Sequence, residues 1–141
     1  MNYTITPYKE KYLNELKLLA DKNKDVLKPN TKMLYFVVAR LFSKVSFVAI
    51  LNSQVVGFVV SFKNANRIWL HQLAVDKNHR GKGIAKALLW ELEAAAANCT
   101  IEFSVKKDNY AAISLYENLG YQRTSFHSEI EQIIYHKTIS G

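Results

Sequence analysis

One stretch constrains this chain more than any other: Leu70-His71-Gln72-Leu73-Ala74-Val75-Asp76-Lys77-Asn78-His79-Arg80-Gly81-Lys82-Gly83-Ile84-Ala85. Its apolar start reads as a strand. Beyond it, Ile84, Leu88, Leu92 and Ala95 or Ala96 fall at helical spacing, so a helix is predicted over 82–97. A strand therefore runs through a short basic loop directly into a helix. Gly81 and Gly83 remove side chains where the backbone must turn and where a ligand can come close. The first helical amides have no partner inside the helix, and the helix dipole makes that end slightly positive. Strand, loop and helix compose an anion site suited to phosphate or pyrophosphate. Arg80 and Lys82 add charge, Arg80 with a fork that can hold two phosphate oxygens. The plain alternative is a helix start that merely uses flexible glycines. The loop is not a P-loop, because Gly-x-x-x-x-Gly-Lys-Ser/Thr is absent, and a dinucleotide fingerprint would need glycine at Lys86.

The rest of the chain alternates between the two periods. Strands are predicted at 2–6, 46–51, 54–62, 67–75, 100–105, 121–128 and 129–138, the last two as an antiparallel pair. Thr6-Pro7 offers a cap and a first helical residue for a helix over 8–21. Lys28-Pro29-Asn30-Thr31 can cap a second helix over 33–42, apolar nearly all round. A last helix starts at Asp108 or Asn109 and ends at Gly120. The order indicates an α/β (α+β) single domain over 1–141, a mixed central sheet of about seven strands flanked by about four helices.

Composition narrows the function. The 141 residues carry a net charge of +7, with one cysteine, Cys99. A single cysteine allows neither a disulfide framework nor a cysteine-rich zinc site, and a buried, non-functional Cys99 is expected. His71, His79, His127 and His136 lack metal-ligand spacing, so no metal is expected. No apolar run reaches the ~20 residues of a membrane span, and residues 1–6 do not resemble a signal peptide. A cytoplasmic protein with no membrane partner is expected. The positive charge raises nucleic acid, but ten of the 19 basic and four of the 12 acidic side chains lie in 1–66, around Lys22, Lys24, Lys28, Lys32, Arg40 and Lys44. They do not alternate with aromatics, and no nucleic-acid-binding signature accompanies them. A nucleic-acid partner is disfavoured; a solvated lysine-rich face or attraction of an anionic substrate remains.

Arg80-Gly81-Lys82-Gly83-Ile84-Ala85 resembles the Arg/Gln-x-x-Gly-x-Gly/Ala motif of the GNAT acyl-CoA-dependent N-acetyltransferases. Asn109-Tyr110-Ala111-Ala112-Ile113-Ser114-Leu115-Tyr116-Glu117-Asn118-Leu119-Gly120-Tyr121 resembles that family's Asn-x-x-Ala-x-x-Leu-Tyr-Glu-x-x-Gly-Phe/Tyr segment. The resemblance covers about residues 46–127.

It implies an acetyltransferase using acetyl-CoA as cosubstrate, with direct attack by an amine in a ternary complex. The strands before the loop and after its helix would splay to admit the pantetheine arm. Backbone groups of Leu73 and Val75 would pair with that arm. Amides from Arg80 through Gly81, Lys82, Gly83, Ile84 and Ala85 would hold the pyrophosphate, and Asn109 would contact pantetheine. Tyr116 stands at the family's position for protonating the departing thiolate; a helix residue packed on the sheet is the alternative. Many relatives carry a Glu base on the strand before the loop, and this strand has no carboxylate. His71 is the substitute, with a reference pKa near 6.5. Strict alternation puts Trp69, His71 and Leu73 on one face, which a bulge would reverse. Glu102 and Glu117 are weaker candidates for the base, and an amine already deprotonated in solution is a further route. His79 is expected to meet solvent or the nucleotide.

Leu27 to Tyr35, with His71-Gln72, also resembles part of the diaminobutyrate acetyltransferases of ectoine synthesis. Asn30, Thr31, Tyr35 and Gln72 fit; Lys28 stands at their acid, Met33 at a tyrosine and His71 at a tryptophan. Lysine in place of an acid reverses a contact suited to a cationic substrate, so diaminobutyrate is not assigned. The acceptor expected is a small-molecule amine, with an anionic group suiting the basic N-terminal half. Peptide or protein N-terminal acetylation is the rival, and a non-catalytic acyl-CoA- or RNA-binding module the reading outside enzymology. The exposed last strands offer a surface for a homodimer.

Overall fold

The computed structural model describes residues 2–22 and 43–141. The helix expected at 33–42, its cap at Lys28–Thr31 and the basic residues Lys24, Lys28, Lys32 and Arg40 lie outside the described residues. Among those described, seven strands form one sheet in the order β1-β2-β3-β4-β5-β7-β6. They are β1 (Thr4–Pro7), β2 (Phe47–Leu51), β3 (Gln54–Asn64), β4 (Arg67–Val75), β5 (Thr100–Lys106), β6 (Gln122–His127) and β7 (Gln132–Thr138). Three α-helices among the described residues accompany them: α1 (Leu13–Lys22), α2 (Ile84–Ala94) and α3 (Tyr110–Asn118). Only β4 and β5 pair in parallel, giving the mixed sheet.

The first helix differs from its expectation. Pro7 closes β1 instead of opening a helix, and α1 starts at Leu13 after a 3₁₀ turn at Glu10–Tyr12. The Tyr8 N–H donates to the Ser46 carbonyl (2.8 Å), which makes Pro7–Phe47 a non-hydrogen-bonded pair. The missing proline donor therefore faces away from β2 at the sheet's outer edge, where no ladder partner is lost. The β2–β3 hairpin turns on Asn52 (φ 51°) and Ser53 (φ 63°), the left-handed pair of a type I′ turn made without glycine.

Each face of the sheet has its own apolar core. Leu16, Leu19 and Ala20 of α1 pack with Val48, Phe58, Val60 and Ala74 on one face. Ile84, Leu88, Leu89 and Leu92 of α2 pack with Val59, Ile68, Leu70, Ile101 and Phe103 on the other, where Tyr116 of α3 joins them. Cys99 is buried in this second core, its thiol toward the Ala97 carbonyl.

Gly57 of β3 sets how closely α2 approaches. A Cβ there would stand 3.1 Å from Ile84 Cγ2, 3.2 Å from the Ala74 carbonyl oxygen and 3.3 Å from Leu88 Cδ1. Gly57→Ala must therefore push the start of α2 off the sheet. We expect a loss of about 1–3 kcal/mol, the usual cost of overpacking. It is read as a lower urea midpoint with an unchanged slope.

Candidate functional site

The parallel pairing of β4 with β5 lasts three positions, Arg67–Thr100, Ile68–Ile101 and Trp69–Glu102, and then stops. From Leu70 and Phe103 onward the strands part. Each stays bound on its far side, β4 to β3 as far as Val75 and β5 to β7 as far as Lys106. The register between β3 and β4 skips His71, since Val60 pairs with Gln72 and Ser61 with Leu70. This bulge reverses the strand's parity. Before it, Ile68 and Leu70 face the core under α2; after it, Leu73 packs there beside Val75, while Ala74 faces the core under α1. A bulge adds twist and bends its strand, which suits the parting.

The backbone beyond the bulge points into the gap. Asp76 N–H donates to the Val56 carbonyl (2.8 Å), so Gly57–Val75 is a non-hydrogen-bonded pair, and by alternation Val59–Leu73 is another. The N–H and C=O of Leu73 and Val75 thus turn away from β3. One of these acceptors is already used, because Arg80 Nε donates to the Val75 carbonyl (3.1 Å).

At the end of β4 the glycine loop leads into α2. Gly81 (φ 76°) and Gly83 (φ 80°) both take left-handed backbone, which disfavours a side chain. Gly83 is the N-cap and has no side chain to cap with; the first helical bond runs from the Ala87 N–H to its carbonyl (3.0 Å). The preceding amides are left to a ligand or solvent. These elements enclose a cleft of about 550 Å³ lined by Leu73, Val75, Arg80, Gly81, Gly83, Ile84, Ala85 and Asn109, among others. Lys82, the remaining residue expected at the anion site, is exposed and does not line it. His79 does.

A second, smaller cavity of about 70 Å³ lies in the gap itself. It holds His71, 7% exposed, and shares Leu73, Asn109, Ala112 and Tyr116 with the larger cleft. Tyr116 thus stands where the two meet, 6% exposed. Its ring is held by Phe103 at 4.1 Å, Tyr121 at 5.9 Å and Tyr135 at 6.4 Å between centroids. Glutamates anchor two of those three rings. Tyr121 Oη donates to Glu93 (3.0 Å), and Tyr135 Oη donates to Glu117 (2.6 Å). Of these three partners Tyr121 closes the motif that begins at Asn109, while only strand patterning hinted that Phe103 and Tyr135 face the core.

Asn109 has a structural task as well: its Oδ1 accepts from the Ala112 N–H (3.3 Å) and caps α3. The two carboxylates considered as bases are engaged elsewhere. Glu102 takes both its bonds from Arg67 (2.6 Å each), and Glu117 accepts from Tyr135 and from Arg123 (3.1 Å). The Tyr135 and Arg123 bonds hold the Glu117 carboxyl below the usual carboxylate range. Among the described residues, no group of three or more His, Cys, Asp or Glu is placed to hold a metal ion.

The sequence model of the acetyltransferase (GNAT) family matches residues 13–121. The chain is 33% identical over 129 residues to N-alpha-acetyltransferase 30 of Schizosaccharomyces pombe, covering 85% of this chain and 84% of the relative. It is 33% identical over 104 residues to L-2,4-diaminobutyric acid acetyltransferase of Halalkalibacterium halodurans, covering 70% of this chain and 55% of that relative. In fold it is similar to Ard1 from Thermoplasma volcanium, with a TM-score of 0.87, 21% identity and 100% of both chains covered. It is likewise similar to Arabidopsis thaliana Naa50 in complex with the bisubstrate analogue CoA-Ac-MVNAL, with a TM-score of 0.82, 21% identity and coverage of 98% and 99%.

Burial pushes the Tyr116 phenol above its ordinary value, and burial followed by the Glu93 carboxylate does the same to Tyr121. The folded chain keeps these protons above about pH 10, where the unfolded chain releases them. Stability should therefore fall as pH rises past about 10. Denaturant titration at stepped alkaline pH should show this, with a shallower fall in Tyr116→Phe.

Proposed function

We propose that this chain, which belongs to the GNAT family and is an acetyltransferase, moves the acetyl group of acetyl-CoA directly onto the primary amine of a small molecule. The observation that carries the reading is the parting of β4 from β5 with Tyr116 at the junction of the two cavities. A cleft ending in uncapped helical amides and a forked cation suits a pyrophosphate, and the outward N–H and C=O of Leu73 suit an amide-bearing arm lying along the strand. Acetyl-CoA supplies the activated thioester.

The residues supply proton handling and position. An ammonium has no lone pair, so the acceptor must first lose a proton. His71 takes it, directly or through water, from its place in the bulge beside the gap. Tyr116 gives its proton to the sulfur as the C–S bond breaks and the C–N bond forms, and the proton then shed by the acetylated nitrogen returns to the phenolate, directly or through water. Burial raises the phenol, which keeps the acid loaded at any working pH. The same burial raises the proton affinity of a thiolate formed beside it, so donor and acceptor stay matched. No covalent enzyme intermediate is required, and Cys99, buried on the core side, takes no part.

A second reading has its own support. The match to N-alpha-acetyltransferase 30 spans 84% of that protein, which favours a peptide N-terminus as acceptor.

Tyr116→Phe should lower kcat by about 10- to 10⁴-fold, the range of general-acid effects, and leave CoA affinity nearly intact by calorimetry. Unchanged turnover would remove Tyr116 from the chemistry. His71→Gln should abolish the acidic limb of the kcat/KM profile with pH; a profile identical to that of the parent would exclude His71 as the base.

A further inference from the structure

The small cavity in the gap is polar, and among the described residues no acid lines it. His71, Gln72, Ser104, Lys106, Gln132 and Tyr116 line it, and among the described residues neither it nor the larger cleft is lined by an aspartate or glutamate. Lys106 is the lysine that lines it among the described residues. It is the last residue of β5, paired in the sheet with Gln132 of β7, where the gap is open. The charged groups around it are turned to other tasks. Lys107 pairs with Glu131 (3.0 Å), Glu102 with Arg67, and Glu117 with Arg123 and Tyr135. Asp108 lines neither cavity. The N-terminus of α3, capped by Asn109 of the same wall, adds positive potential at this end.

From this arrangement we infer that Lys106 recognises a carboxylate on the acceptor, which makes the substrate class a free amino acid in preference to a peptide N-terminus. The inference rests on the acetyltransferase reading of this gap. The described part of the wall has no acid to hold an ammonium by charge, so it disfavours cationic amines without a second handle. A free amino acid brings that handle a few bonds from its nitrogen. A peptide N-terminus brings a neutral amide carbonyl at the same distance, which leaves the lysine without a charge partner. Lysine suits the role as a compact charge with three rotatable donors.

The test compares free α-, β- and γ-amino acids with their carboxamides and with short peptides, following CoA release from acetyl-CoA. The chain over residues 1–141 is used, with acetyl-CoA binding measured separately by calorimetry. The parent protein should acetylate at least one free acid with kcat/KM about 10-fold or more above its carboxamide, on the scale of a charge-assisted hydrogen bond. In Lys106→Met that ratio should collapse toward one, chiefly through KM for the acid, and Lys106→Arg should restore part of it. Carboxamides or peptides used as well as the acids would overturn the inference, as would a ratio that survives in Lys106→Met. Tight acetyl-CoA binding with turnover of peptides alone overturns this acceptor class and leaves the transfer reading standing. Loss of acetyl-CoA binding in the parent protein overturns both.

Discussion

Between β4 and β5, backbone hydrogen bonds that a continuous sheet would make are left open. Such an opening is costly unless the freed groups meet solvent or another partner. It persists because neither strand can close it without giving up more on its other side. β4 is laddered to β3 from Arg67 to Val75, and β5 is laddered to β7 along its whole length. The bulge at His71 turns the second half of β4 away and aims the polar groups of Leu73 and Val75 at the vacated space. The glycine loop then continues β4 directly, so its uncapped amides open on the same space. The cleft, the loop and the position of Tyr116 all depend on that one parting.

Tyr116 illustrates how the core and the chemistry share residues. Three aromatic rings surround it, and aromatic pairs add about 0.5–1.5 kcal/mol each beyond area burial. Two of those rings are themselves tied to glutamates, Glu93 on α2 and Glu117 on its own helix α3. Lys137 of β7 also donates to Glu93 and to the Leu119 carbonyl, so the far ends of α2 and α3 are bound to the sheet together. The ring is held by this packing, and the residue lines both cavities.

Much of this was legible in the chain. Strands 54–62, 67–75 and 100–105 and the two helices after them are recognisable because each is bounded by a turn residue or a change of period. The motif around Gly81 and Gly83 is local, and both glycines do take the left-handed backbone that local sequence implied. Thr6-Pro7 misled because a proline at a helix start and one at the end of an edge strand have the same sequence neighbours. What separates them is the Tyr8–Ser46 bond, 38 residues away. Parity in β4 was likewise undecidable, since a bulge is an event between strands and leaves no mark in one of them. Lys82 read as part of the anion site by adjacency, yet it stands outside the cleft that Arg80 lines.

The sequence by itself determined the seven strands and their order, the helices after the fourth and fifth strands, the glycine loop and the family that these motifs mark. Those depend on periodicity and local backbone preference, which neighbouring residues encode. Only the tertiary structure decided that β4 and β5 part after Trp69 and Glu102, which way His71 and Leu73 face, and which rings grip Tyr116. It also decided that Glu102 and Glu117 are bound elsewhere while Lys106 lines a cavity with no acid among its described residues. These outcomes follow from competition among hydrogen-bond partners distant in the chain, and only the assembled sheet sets which partner wins.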